Sequence, residues 1–76
     1  MKDTLVFILS KLADHPDDIV VEETTDQDRT VFTIRANPED MGKIIGKSGR
    51  IIRAVRDLIK LMATKQNAYV DVVLAE

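Results

Sequence analysis

Gly46-Lys47-Ser48-Gly49 joins backbone freedom to a cation and a hydroxyl, the ingredients of phosphate binding. A Gly-Lys-Ser run is half of the phosphate loop of nucleotide hydrolases. There, backbone N–H groups cradle phosphates, the lysine reaches the outer ones and the hydroxyl holds magnesium. The complete loop needs G-x-x-x-x-G-K-[ST] after a buried strand. Five residues before Gly46 stands Met41, and Gly42 is one residue too close. What precedes the loop reads as a short helix, and 76 residues cannot hold a hydrolase sheet. No free carboxylate stands at a strand end to organise magnesium, and no histidine or acid lies near Ser48 in sequence to act as its base. An enzyme is excluded on these grounds.

A helix, G-x-x-G, helix arrangement is a different device. Two glycines three apart let the backbone turn sharply and remove side chains that would block a close approach. The N–H groups of the loop and of the second helix start then face outward, a seat for backbone phosphates. Lys47 and Arg50 supply counter-charge, and Lys43 and Arg53 lie in the same basic stretch. Ile44, Ile45, Ile51 and Ile52 divide between core and the lip of an apolar groove where bases would lie. The candidate binding residues are therefore Gly46, Lys47, Ser48, Gly49, Arg50, Lys43, Ile44, Ile45 and Arg53.

The charge distribution agrees with an anionic partner. The formal net charge is −2, yet residues 43–65 hold seven bases and one acid, while residues 1–42 hold ten acids and four bases. Such segregation concentrates positive potential on one part of the surface. The chain has no cysteine, which excludes disulfides and thiolate metal sites, and no cofactor is expected. The start "MKDTLVFILSKLADHP" loosely imitates a signal peptide, but Asp3, Lys11 and Asp14 break the pattern and no small-residue cleavage site follows. A cytoplasmic location is expected. His15, the one histidine, is read as a helix terminus rather than a ligand. The acid pairs Asp17-Asp18 and Glu22-Glu23 are read as solvated turn and edge residues, and Met41 and Met62 as packing residues. Of the three aromatic residues, only Tyr69 is placed to reach a base, so stacking is expected to contribute less than aliphatic groove walls.

Six elements must hold the loop in place. Leu5, Ile8, Leu9 and Leu12 form one helical stripe, with Asp3 as the cap and His15-Pro16 as the stop, so a helix is expected over residues 3–15. Ile19–Thr24 and Thr30–Arg35 read as a hairpin. Asn37-Pro38-Glu39-Asp40 starts a helix of about two turns that Gly46 and Gly49 interrupt. Helical spacing resumes with Ile51, Ile52, Val55, Leu58, Ile59 and Met62, facing the sheet, and ends at Asn67. "YVDVVLA" closes as a strand, parallel to the one before the helices. The expected fold class is α+β, in the order α-β-β-α-α-β, with three helices on one face of a three-stranded mixed sheet. It forms a single domain over residues 1–76, its sheet and glycine-loop core spanning 19–75.

Ile44-Ile45-Gly46-Lys47-Ser48-Gly49-Arg50-Ile51-Ile52 matches the I-I-G-x-x-G-x-x-I signature of the KH family without departure. The element order resembles the bacterial, type II arrangement, and the whole chain resembles the small stand-alone bacterial KH-domain RNA-binding proteins of the KhpA/YlqC-like family. That resemblance implies single-stranded RNA as partner, its sugar-phosphate backbone clamped over about four nucleotides by the GKSG loop. It also implies RNA-chaperone-like or post-transcriptional regulation, and pairing with a larger, multidomain KH protein of the Jag type. A second reading treats the domain mainly as an assembly module, with RNA binding secondary. On a helical wheel Ala54 and Leu61 fall outside the core arc, with Leu58 at its edge, a strip suited to packing against a second copy in a homodimer.

Overall fold

A computed structural model describes residues 1–75. Helix α1, Lys2–Leu12, leads through a one-turn 3-10 segment, Pro16–Asp18, into strands β1, Val20–Asp26, and β2, Arg29–Arg35. A second 3-10 turn, Pro38–Asp40, opens helix α2, Met41–Ile45. A third, Lys47–Gly49, carries the glycine loop into helix α3, Arg50–Lys65, and β3, Tyr69–Leu74, closes the domain. The sheet order is β1-β2-β3, β1 antiparallel and β3 parallel to the central β2, as the helical crossover requires.

Alternation along the strands places Val21, Phe32, Ile34, Val70 and Val72 under the helices, all 5% exposed or less. Leu5 and Leu9 of α1, Ile44 of α2, and Ile52, Val55, Ile59 and Ala63 of α3 complete the core. The other face of the sheet carries cross-strand ion pairs, Arg35 with Glu22 and Arg29 with Asp71. A half-wet sheet of this kind needs polar pairs outward and apolar residues inward.

Local details correct several expectations. The first helix begins at Lys2 and ends at Leu12, not 3–15: Asp3 lies inside the first turn, and Ala13 is already extended. The hairpin is tighter than the flanking runs suggest, with Asp26 paired to Arg29 and Gln27 at φ 57, the left-handed conformation that a two-residue turn requires first. Leu58 does not face the sheet and is 43% exposed; Ala63, four residues after Ile59, occupies the core position instead. Asn67 does stop α3, at φ 56. The Ala68 N–H donates to the Ala63 carbonyl and the Asn67 N–H to that of Thr64, a Schellman closure.

Asp40 is the one buried charged residue among those described, with no exposed surface. Its Oδ1 accepts the Asp14 N–H and its Oδ2 the His15 N–H, each at 2.9 Å. The carboxylate thereby ties the end of α1 to the start of α2, satisfying two backbone donors in the connection. Burial alone pushes its pKa up. The two amide donors, helped by His15 and Lys43, outweigh burial and hold it below the ordinary 3.8. A lowered carboxyl pKa stabilises the fold above the unfolded value, and that contribution is lost as pH falls through the folded one. Asp40→Asn, which sets an amide N–H against a buried donor, is expected to lower the melting temperature at neutral pH by several degrees. The gap from the parent should narrow as pH falls below the ordinary carboxyl value and the buried carboxylate takes up its proton, read by thermal melts across pH 2–7.

Candidate nucleic-acid interface

Asn37 has φ −58, ψ 135, and its side chain accepts the Glu39 N–H at 2.9 Å, fixing where the second helical unit begins. Pro38 follows in the first turn, where its missing donor costs nothing. Only five residues of α2 follow before Gly46 ends it, the Gly46 N–H donating back to the Gly42 carbonyl at 2.9 Å.

Gly46 takes φ 75, ψ 173, a region open essentially to glycine alone. A β-carbon there would lie 2.5 Å from Cγ1 of Ile51, so the loop and the first turn of α3 meet with no room for a side chain. Ser48 (φ 56, ψ 26) and Gly49 (φ 73, ψ 17) are both left-handed, and the Gly49 N–H closes the turn on the Gly46 carbonyl at 3.1 Å. These angles throw Lys47 and Ser48 out to solvent while α3 starts beneath them. The N–H groups of Lys47 and Ser48 take no backbone partner among the described residues. Together with the positive end of a 16-residue helix, they form an anion-attracting surface flanked by Lys47 and Arg50.

The other expected site residues separate into groups. Arg50 and Arg53 are exposed on the first turn of α3, beside the loop. Ile45 and Ile51 are half-buried at its base. Ile44 has no exposed surface, so it supports the loop from within and cannot itself line a groove, a correction that follows from the helical turn carrying it into the core. Lys43 is drawn away: its ammonium pairs with the Asp14 carboxylate on the connection after α1. The Asp14 hydrogen bond raises the Lys43 pKa above its ordinary value despite partial desolvation. Tyr69 is 62% exposed but stands beyond the far end of α3 from the loop, so it cannot stack on a base held there. Ala54, Leu58 and Leu61 are all exposed on α3. Asp40 was missed as a positioning residue, its sequence signal being only that of an acid in a first helical turn. Among the described residues no group of three or more histidines or acids gathers to hold a metal ion.

A glycine turn that presents backbone donors between two short-linked helices, over a sheet with one parallel pair, is the arrangement of a KH domain. The KH-domain model of KhpA and KhpB matches residues 2–74. This chain belongs to that family. It is 44% identical over 72 residues to RNA-binding protein KhpA of Clostridium acetobutylicum, covering 95% of this chain and 96% of the relative. Identity to RNA-binding protein KhpA of Clostridium perfringens is 40% over 72 residues, with the same coverage, and to that of Oceanobacillus iheyensis 35% over 74, covering 95% and 99%. Membership in this KH family bears out the expected α-β-β-α-α-β fold and the reading as a binding domain rather than an enzyme. No helix among the described residues is long and apolar enough to cross a membrane.

The two glycines carry different loads. Gly49 has nothing within 4 Å of where a β-carbon would stand, so Gly49→Ala meets only the cost of a left-handed backbone, about 1–2 kcal/mol. Gly46→Ala adds a steric conflict with Ile51 and should destabilise by at least about 3 kcal/mol. Urea unfolding of the two variants measures the difference.

Proposed function

We propose that this KH domain binds single-stranded RNA by seating its sugar-phosphate backbone on the Gly46–Gly49 loop, acting as an RNA chaperone or post-transcriptional regulator. The observation that carries the reading is the loop geometry. The positive φ of Gly46, Ser48 and Gly49 turns the Lys47 and Ser48 N–H groups and the Lys47 side chain outward together at the head of α3. A phosphate diester accepts such donors whatever its base, so the loop grips RNA without selecting sequence. Arg50 and Arg53 extend the positive surface by one helical turn. The names of the KhpA relatives, each an RNA-binding protein, favour RNA among single-stranded nucleic acids.

The same helix supports pairing with a second KH chain. Leu61 is 67% exposed and Leu58 43%, with exposed Ala54 beside them on one side of α3. A two-fold contact would use this strip twice, covering both leucines. A homodimer, or a heterodimer with a larger Jag-type KH protein, would set two shallow RNA seats on one particle and raise their joint grip through effective concentration.

Two measurements test these proposals. Changing Lys47 and Ser48 together to Asp should leave the fold intact and weaken binding of a short unstructured RNA about tenfold or more, with a shallower salt dependence. Undiminished binding by the folded double variant refutes the phosphate seat. Leu61→Asp should convert a sedimenting dimer to monomer without changing the circular dichroism spectrum, and a parent chain that sediments as a monomer refutes the pairing strip.

A further inference from the structure

At the opposite end of α3 from the glycine loop, about 24 Å along a helix of 16 residues, a cleft of about 250 Å³ opens beside the unpaired edge of β3. Its walls include Arg29, Lys60, Thr64, Ala68, Tyr69 and Asp71. Arg29 and Tyr69 are register partners on the solvent face of the sheet, and Asp71 follows two residues along the same face. The Asp71 carboxylate engages both cations of the cleft. Oδ2 lies 2.6 Å from the Arg29 guanidinium and Oδ1 3.9 Å from the Lys60 ammonium. Tyr69 stands 62% exposed and also lines a second hollow of about 230 Å³ with Thr64, Asn67 and Ala68.

One flank of α3 leads there from the loop. Arg53, Arg56 and Lys60 recur at helical spacing on this side. Arg56 is fixed toward the β3 edge, its Nε donating to the Val72 carbonyl at 3.2 Å. A strand leaving the loop along this flank therefore meets a basic track that ends at an exposed aromatic ring. Single-strand binders combine these two features, a cationic path for the backbone and an aromatic face for a base.

We infer that the cleft between Tyr69 and the Arg29–Asp71–Lys60 cluster is a second nucleotide subsite, in which a base stacks on Tyr69 and a phosphate replaces Asp71 on Arg29 and Lys60. The inference rests on the RNA-binding reading above and extends it beyond the about four nucleotides that a GxxG loop clamps. Asp71 acts as a resident anion: it holds the two cations in place while the site is empty and competes with phosphate for them. The subsite adds affinity only for strands long enough to reach from the loop, and it tolerates any base because every base has a π-face.

Fluorescence anisotropy with labelled oligouridines of about four and about ten nucleotides tests this on the full chain. Tyr69→Ala should weaken binding of the longer oligomer about fivefold or more and leave the shorter one unchanged, while Tyr69→Phe keeps parental affinity. Asp71→Asn should tighten the longer oligomer and steepen its salt dependence, because two cations become available to phosphate. A Tyr69→Ala chain that binds the longer oligomer like the parent, or that loses both oligomers alike, overturns the subsite. The Lys47/Ser48 double Asp variant separates this failure from failure of the loop. If that variant binds both oligomers normally the loop reading falls, and the Tyr69 dependence of the longer oligomer still decides the cleft.

Discussion

The contact between Gly46 and Ile51 sets the terms for everything at the head of α3. Two helical units meet there so closely that residue 46 has no space for a β-carbon, and its backbone adopts angles that other residues avoid. With Gly46 fixed, Ile51 seals the base of the loop from one side and Ile45 lies half-buried beside it. The chain can return to helical geometry only through the left-handed Ser48 and Gly49. The result is a rigid backbone corner with its donors outward, and its rigidity comes from the core. Ile44 and Ile52, fully or nearly fully buried on either side, anchor the corner in the core. Asp40 secures the other end of the short α2 by holding the connection from α1. A five-residue helix has little stability of its own, so its position is a property of these anchors.

Electrostatics on this domain depends less on the number of cations than on what each one faces. Lys43 is neutralised by Asp14, Arg35 by Glu22, and Arg29 and Lys60 share Asp71. Arg56 satisfies a strand-edge carbonyl. Lys47, Arg50 and Arg53 form no ion pair among the described residues, and they cluster at the loop where the helix dipole adds to their field. Net charge of −2 is therefore compatible with a locally positive surface. The acids are spent mostly on the first helix connection and the hairpin, away from the loop or paired to cations that would otherwise compete with it.

Much of this architecture was legible because its determinants are local. Asn37-Pro38 announces a helix start by side-chain capping and a fixed φ, and both operate within three residues. Alternation in Val70, Val72 and Leu74 needs only a pleated strand with one wet face. Gly46 and Gly49 mark positive-φ positions because few other residues tolerate them. The parallel pairing of β2 and β3 follows from the length of the helical crossover. Boundaries were less legible: α1 ends at Leu12 because the Asp40 carboxylate captures the next amides, and no local signal at His15 reveals a partner 25 residues away.

What the sequence by itself determined is thus the order of elements, the turn chemistry and the presence of a glycine corner, all set by short-range sterics and hydrogen bonding. Tertiary structure decided which residues of each element are available. Leu58 and Val55 both belong to the apolar arc of α3, Leu58 at its edge, yet packing covers Val55 and leaves Leu58 exposed. Ile44 and Ile45 are neighbours in the signature, but the helical turn buries the first completely. Lys43 appears to belong to the basic stretch until the fold brings Asp14 against it. Tyr69, Arg29, Lys60 and Asp71 come together only because a parallel strand pair and a 16-residue helix end at the same corner. The reason is common to all four: exposure and charge pairing depend on residues distant in the chain, whose positions exist only once the core has formed.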